Sequence, residues 1–593
     1  MSTSEPVATA GFPWKAVSTV TALVLAAFAM FIAVPEADDE PVITDLPDQA
    51  GVKQQLRSEQ ELTRIFSGMR AGYLDSTLNR QAAIDDLNRW LDEFPLKEDQ
   101  VLTQDSELLK SLLPPELQDP ILGDRFTPSD AGHIRMSIMS SEIVSAIKRR
   151  VKQEVSENDP AFETAVVTAA FYFVWQNVAE DQNQKLLTPY EVFIYGRGTP
   201  LDRIWCFAEL VRQLSCDTVL IAPSQSEQPL PPFVGVLTTG GEFLLFEPSL
   251  GIPLADLSVS PTTVLPDTPA TLKQVLETPD FFDHYHFEAV ENLGLREFTY
   301  PVKHENLASI EVLIAGHPSQ WAPRMATVEF RTPSDQEALF YAGLGKNSLR
   351  QNGAFERIVE TGTKNGWWKP ENVHLWLDPL GLEFQFEQGR NAPATVATHW
   401  QQINQIMQGP EVVNAAGDGV ELAQRSLEDV RIEQLTGKSA TALSHLLPIR
   451  NARHRYQSDI NLYAADFATF RTAQCQMEIG QWAPATQTLV GYLQDTSGPQ
   501  NWSMQAVDQI ALIKMQELKG SPPGNIEEAK SLFVLFSQVP EKNARQLFLL
   551  HYWARLLQET GHFKDLDNIA LGSTSEAEFQ RPPSPALPMP LIQ

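Results

Sequence analysis

The chain has 593 residues, of which 43% are hydrophobic and 20% are charged, with 45 Lys plus Arg against 75 Asp plus Glu. This length and hydrophobic content indicate several folded domains and exclude a chain that is disordered throughout. A formal net charge of −30 repels phosphate backbones, which argues against nucleic-acid binding. Three cysteines cannot build a disulfide framework, and no Cys-x-x-Cys pair is present to form a zinc ribbon.

One long uncharged segment lies near the amino terminus, at residues 16–34 (AVSTVTALVLAAFAMFIAV). As a helix it measures roughly 28 Å, close to the ~30 Å hydrocarbon core of a bilayer. Lys15 precedes it and acidic residues follow it, which predicts a single-pass membrane anchor with residues 1–15 in the cytoplasm and the bulk of the chain outside, as in a periplasm. A cleaved signal peptide is the alternative, because Ala27-Phe28-Ala29 resembles a cleavage site.

The next part of the chain predicts an acidic linker and then helices. Residues 35–50 are acidic and contain prolines, as expected of a solvated linker, and the apolar spacing from residue 51 to 117 is helical. Thr127 is predicted to start a further helix, and the aromatic-rich segment 161–178 predicts a buried one. Short β-like runs follow, with Gly240-Gly241 as a turn between the last two, at 218–222, 233–237 and 243–246.

The second half of the chain predicts a β-containing module and then helices. Residues 300–395 contain strand-like pieces at 310–314, 326–330 and 373–377. From 400 to 575 the spacing is helical, and residues 471–493 and 547–569 each predict a helix, a Gly-x-aromatic turn and a second helix. This pattern resembles tetratricopeptide-type hairpins, with a plain helical bundle as the alternative. The proline-rich tail at 576–593 is predicted to be disordered or extended.

The most informative segment begins at Tyr195 and reads YGRGTPLDRIWCFAELVRQL, a Gly-rich turn that leads into a helix. Thr199 is predicted to cap that helix, and Pro200 suits its first turn. The order of elements over about residues 160–255 is aromatic helix, Gly turn, helix, two strands, Gly-Gly turn, strand and Glu-Pro-Ser-Leu-Gly. This order resembles the transglutaminase-like superfamily, which has a papain-like α+β fold. The resemblance implies a nucleophilic cysteine at the helix start, with a histidine and an aspartate on the following strands.

The residues at those positions depart from the family pattern. Without a gap, the nucleophile position falls on Pro200 and the histidine position on Pro232, and only the acid is kept, as Glu247. Because proline can neither attack a carbonyl nor carry a proton, the resemblance implies a degenerate site with no catalytic residue assigned. Cys206 is the alternative nucleophile, although its use needs a gap of about six residues inside the helix and a distant histidine.

Two other groups of polar residues were weighed. His284 and His286 have a His-x-His spacing and are weak candidates for metal ligands, with a surface loop as the alternative. Asp202 and Arg203 are expected to be solvated or locally paired surface charges. No cofactor is predicted.

The sequence therefore predicts a multidomain α+β protein with an N-terminal transmembrane helix at 16–34. It further predicts a helical segment plus a transglutaminase-like domain at 51–258, a small β-containing module at 300–395 and a tetratricopeptide-like helical region at 400–575. The expected function is membrane-anchored, extracytoplasmic binding or scaffolding, with a protein partner on the C-terminal helices. The alternative is an active thiol enzyme, a protease, amidase or acyl transferase, that uses Cys206.

Overall fold

The structure is a computed structural model that describes most of the chain from residue 49 to residue 567. The described ranges are 49–69, 77–95, 110, 113–181, 188–223, 233–258, 263–331, 354–376, 394–413, 420–422, 425–456, 458–495, 501–518, 524–537 and 543–567. The predicted anchor at 16–34, most of the predicted linker at 35–50 and the tail at 576–593 lie outside these residues, so localisation stays a prediction. The chain divides into one unit, Met1–Gln54, and a second, Gln55–Gln593, which holds every element described below except the first residues of α1.

Helices dominate the part of the chain before the sheet. They are α1 (Gln49–Gly68), α2 (Thr77–Glu93), α3 (Pro115–Leu122), α4 (Pro128–Val151), α5 (Phe162–Asn177), α6 (Pro189–Tyr195) and α7 (Pro200–Arg212). One motif, Thr-Pro-x-Asp/Glu, starts α4, α6 and α7, with its threonine at Thr127, Thr188 and Thr199. Each threonine accepts an N–H from the acidic residue three positions on, whose carboxylate accepts the threonine N–H in return. The proline fits the first turn because its missing N–H needs no partner there.

A mixed sheet of six strands follows, in the order β6-β5-β4-β3-β7-β8. The small strands β1 (Ala179–Glu180) and β2 (Arg197–Gly198) pair separately, and the sheet strands are β3 (Asp217–Pro223), β4 (Phe233–Leu237), β5 (Phe243–Glu247), β6 (Ile252–Pro253), β7 (Ile310–Ala315) and β8 (Val373–Trp376). All neighbours run antiparallel except β7 and β8, which run parallel. The predicted runs at 218–222, 233–237 and 243–246 are therefore confirmed as strands.

Both faces of the sheet are covered, which explains its apolar strands. Leu220, Val234 and Phe246 belong to one hydrophobic cluster, whereas Val219 and Ile221 belong to the other. Side chains alternate between faces along a strand, so a strand covered on both sides is apolar at every position. Helices from the C-terminal half contribute to both clusters.

The remaining elements are helical apart from one short hairpin. They are α8 (Leu272–Glu277), α9 (Pro323–Arg331), α10 (Ala354–Asn365), α11 (Ala394–Gln408), β9 (Glu411–Val413), β10 (Val420–Leu422), α12 (Leu427–Leu435), α13 (Ser439–Asn451), α14 (Asp459–Glu478), α15 (Trp482–Gln494), α16 (Ser503–Leu518), α17 (Gly524–Ser537), α18 (Ala544–Glu559) and α19 (Lys564–Asp567). From α11 to α18 each helix packs against the next one in the chain.

The two predicted Gly-x-aromatic turns have the same backbone geometry. Gly480 and Gly561 adopt φ of 77° and 78°, a left-handed conformation that favours glycine. Gln481 N–H donates to the Gln476 carbonyl at 2.8 Å, and His562 N–H donates to the Leu557 carbonyl at 2.8 Å. Each bond reaches back five residues and closes the end of its helix, α14 or α18, before the next helix begins.

The fold class predicted from the sequence is wrong and needs correction. The described chain is mainly helical with one mixed sheet, and none of its described helices is both long and apolar enough to cross a membrane. The predicted module at 300–395 does not form its own sheet, because β7 pairs with the central strand β3 and β8 pairs with β7. The predicted strand at 326–330 lies in helix α9, where Met325 and Val328 are buried at helical spacing.

Candidate functional site

The Gly-rich turn before α7 is shaped by packing inside the protein. Gly196 adopts φ of 74°, and a Cβ there would lie 1.6 Å from Nη2 of Arg471 in α14. Gly198 approaches Asp202 so closely that a Cβ would lie 2.9 Å from the Asp202 Cβ. Both glycines therefore make room for side chains of the protein itself.

The two candidate nucleophile positions both lie on α7. Pro200 is its first residue, and Cys206 is fully buried in the middle of the helix. The Cys206 Sγ lies 3.6 Å from the carbonyl oxygen of Pro189, and burial raises the pKa of this thiol well above its usual value. A thiol in this state is not a nucleophile, because only the thiolate attacks. Pro232, the third position, lies outside the described residues.

Glu247 ends β5 and folds back on its own turn. Its carboxylate accepts a hydrogen bond from Ser249 Oγ at 2.7 Å and another from the Leu250 N–H. The residue is 3% exposed, and burial raises the pKa of its carboxyl to about 7, against the lowering effect of these hydrogen bonds. The carboxylate thus holds the turn at 247–251.

The weak metal candidates lie apart from α7 in the chain, on a short 3-10 helix, Phe281–Tyr285, and directly after it. His284 is 4.0 Å from Asp280 as its nearest carboxylate partner, and His286 is exposed. In the ranges that the structure describes, no group of three or more His, Cys, Asp or Glu side chains is placed to hold a metal ion.

A cleft lined by three charged side chains lies between α5, α7, α16 and α18. Arg203 comes from α7, Asp508 from α16 and Arg545 from α18. Trp175 of α5 lies beside them. We call this cavity, with Trp175, Arg203, Asp508 and Arg545 in its wall, the charged cleft. The empty volume of the cleft is ≈520 Å³ with the open solvent at its entrance included, and ≈30 Å³ of it can hold the centres of water molecules. The latter is room for about two waters.

Each of the two guanidinium groups bonds to the described chain through only some of its donors, and that of Arg203 also lies over the Trp175 ring, 5.0 Å from the ring centre. Arg203 donates through Nε to the Val178 carbonyl at 3.1 Å and through Nη1 to Glu180 at 3.1 Å. Arg545 donates through Nη1 to the carbonyls of Leu250 and Gly251. Nη2 of each arginine makes no hydrogen bond to the described chain. Burial lowers the pKa of Arg203 to about 10, so its guanidinium is still charged at neutral pH.

Two further polar atoms of the charged cleft are buried without a partner in the described chain. They are Oδ1 of Asp508 and Nε1 of Trp175, whose side chain is 94% buried. Burial raises the pKa of Asp508, while Arg545 and Arg203 lower it, yet neither arginine comes within ion-pair distance of the carboxylate. Buried polar atoms are usually hydrogen-bonded, so these two are available to a molecule that enters the cleft.

The Glu247 turn connects to the charged cleft through Gly251. This glycine adopts φ of 62°, and a Cβ there would lie 2.2 Å from Trp175 Cδ1 and 2.5 Å from Arg545 Nη1. Because Glu247 holds the turn and the turn holds Arg545, Glu247 supports the wall of the cleft.

The sequence reasoning missed this cleft, and it was wrong about Arg203 and Asp202, which are 8% and 4% exposed. Every residue of α7 from 202 to 212 is buried, so the charges of this helix need partners inside the protein. Asp508 and Arg545 carry no local pattern that places them beside Arg203.

No family model matches the chain, and comparison with curated proteins and with solved structures finds no similar protein.

Proposed function

We propose that this protein is a non-catalytic binding or scaffold protein with a degenerate transglutaminase-like domain. Its C-terminal helices, which resemble tetratricopeptide-type hairpins, hold a protein partner. The observation that carries the proposal is the state of Cys206 and Glu247. The one thiol on α7 is buried and protonated, and the one acid at a family position is used by its own turn.

The arrangement around Cys206 differs from that of an active thiol. A catalytic cysteine needs a helix N-terminus or a cation to lower its pKa, together with a base within hydrogen-bond reach. Cys206 lies in the middle of α7, and Asp202 and Glu209 on the same helix raise its pKa further. The contact of its sulfur at 3.6 Å is with a backbone carbonyl, which cannot take a proton.

The partner surface is assigned to the α14–α15 hairpin. Three large apolar side chains are exposed on it, namely Ile460 (38%), Ile479 (37%) and Val490 (38%). Ile460 and Ile479 lie at opposite ends of α14, so these side chains offer separate apolar contacts to a partner that extends along the hairpin.

The experiment that tests the proposal is alkylation of Cys206 in the folded full chain at neutral pH. Iodoacetamide is added, and the labelled peptide is quantified by mass spectrometry against time. We expect Cys206 to react at least about a hundredfold more slowly than in denaturant, because the thiol is buried and protonated.

A matched control is the Gln487→Cys variant, which places a thiol on the exposed face of α15. That thiol is expected to react at once in the folded protein. If Cys206 is labelled as fast as or faster than this control, it is an accessible thiolate, and the protein is a thiol enzyme instead.

A further inference from the structure

We infer that the charged cleft binds an α-carboxylate with an N–H donor on the neighbouring carbon, carried by an apolar residue. Two sources have this chemistry, a free apolar amino acid and the carboxyl-terminal residue of a peptide. The inference rests on the proposed function in one respect, that the cleft binds its ligand without transforming it.

The carboxylate is bound by donors that the protein leaves unused. Nη2 of Arg203 and Nη2 of Arg545 have no partner in the described chain, and Nε1 of Trp175 is buried without one. Guanidinium groups bind carboxylates through charge-assisted hydrogen bonds, which are about twice as strong as neutral ones.

Asp508 determines what else the ligand must carry. A bare anion would meet the unpartnered Oδ1 of this carboxylate, which repels it, whereas an N–H group donates to it. The charges of the site support this choice: Arg203 and Arg545 are balanced by Asp508 and by Glu180, which lies 3.1 Å from Arg203. A free amino acid, whose ammonium and carboxylate charges cancel, keeps that balance, while a bare anion adds one uncompensated negative charge. A peptide terminus is also an anion, and it differs from a bare carboxylate in the N–H that it offers to Asp508.

The apolar lining of the cleft favours a ligand with an apolar side chain. Leu265 and Leu512 line the cleft and are partly exposed, whereas Phe536 and Leu549, which also line it, are each only 2% exposed. The side chain of the ligand covers Leu265 and Leu512, so burial of their apolar area adds to the affinity.

Isothermal titration calorimetry on the full chain tests the inference with four small probes. Leucine and N-acetyl-leucine both carry the carboxylate and the N–H. Leucinamide lacks the carboxylate, and 4-methylpentanoate lacks the nitrogen. We expect leucinamide and 4-methylpentanoate to bind at least tenfold more weakly than the better of the first two.

The first two probes distinguish the sources. If the ammonium group of leucine pairs with the Asp508 carboxylate, leucine binds at least tenfold more tightly than N-acetyl-leucine, and the natural ligand is a free amino acid. N-acetyl-leucine binding as tightly as leucine, or more tightly, identifies a peptide terminus. The inference is overturned if neither binds, or if leucinamide or 4-methylpentanoate matches them.

Variants test whether the heat of binding measured by calorimetry comes from a ligand in the charged cleft. Asp508→Asn and Trp175→Phe each remove one polar group with little change of shape. Each variant is expected to bind leucine or N-acetyl-leucine at least tenfold more weakly than the wild type does. Arg64→Gln, on an exposed surface pair, is the control and leaves binding unchanged. Unchanged affinity in both cleft variants contradicts the assignment. The labelling rate of Cys206, measured on the same protein, reports separately on the proposed absence of catalysis.

Discussion

Two groups of buried charged residues in this protein differ in whether their charges pair with each other. Arg324 and Asp130 have fully buried side chains and form two hydrogen bonds to each other, at 2.7 Å and 3.0 Å. The other donors of Arg324 reach the carbonyls of Pro120, Ile121 and Gly123. In the charged cleft, Arg203, Asp508 and Arg545 are close enough to shift the pKa of Asp508 but form no ion pair with it.

The difference separates a structural role from a binding role. A buried pair is stable only if its charges satisfy each other and their remaining donors find acceptors, as those of Arg324 do. Where charges are buried but kept apart, the protein bears a desolvation cost that only a bound molecule can offset. The first arrangement joins α4 to α9, and the second leaves donors and an acceptor available for a ligand in the cleft.

The largest effect is expected from breaking the satisfied pair. Asp130→Ala leaves the Arg324 guanidinium buried without its carboxylate and also removes the capping box of α4. We expect the free energy of unfolding to fall by about 3–5 kcal/mol, measured by denaturant titration. Glu61→Ala is the control, since its pair with Arg64 is 40–56% exposed, and it is expected to cost at most about 1 kcal/mol. Equal losses in the two variants would contradict the comparison.

Glu247 sharpens the comparison because it is a buried carboxylate with hydrogen bonds but no cation bonded to it. Its pKa is raised from 4.5 to about 7, so the folded protein holds a proton that the unfolded chain has lost between these pH values. Stability therefore falls as pH rises from 4.5 to 7 and levels off above that, by up to about 3 kcal/mol. Thermal melts at pH 5 and pH 8 check this, and the difference should shrink in Glu247→Gln. A pH dependence that is the same in the variant would show that other groups cause it.

Gly251 tests whether the turn holds the wall of the cleft. Gly251→Ala adds the cost of a left-handed residue to a clash with Trp175 and Arg545, and we expect a loss of about 2–4 kcal/mol. Gly241→Ala is the matched control, because its φ of 81° is similar but no atom lies within 4 Å of the added Cβ. It should lose only about 1–2 kcal/mol. Circular dichroism melts of both variants give the comparison, and equal losses would mean that the cleft wall is not tightly packed.

The sequence predicts local features of this fold well and distant pairings poorly. The helix start at Thr199 and the β4–β5 hairpin with its Gly240-Gly241 turn depend on neighbouring residues, and both occur as predicted. The pairing of β7 with β3 joins segments about 90 residues apart, and no local pattern marks it. The charged cleft is of the second kind, because Arg203 lies some 300 residues before Asp508 in the chain.

The measurement that tests the account most directly is the unfolding free energy of Asp508→Asn beside the wild type, with and without leucine or N-acetyl-leucine. Without ligand, we expect the variant to be within about 1 kcal/mol of the wild type, because the desolvation cost of the Asp508 charge is removed while Arg203 and Arg545 lose one of the carboxylates that balance their charge. With saturating ligand, the wild type gains stability through binding and overtakes the variant. If the variant instead loses as much as Asp130→Ala without ligand, Asp508 is a structural residue and the contrast between the two groups of charges is wrong.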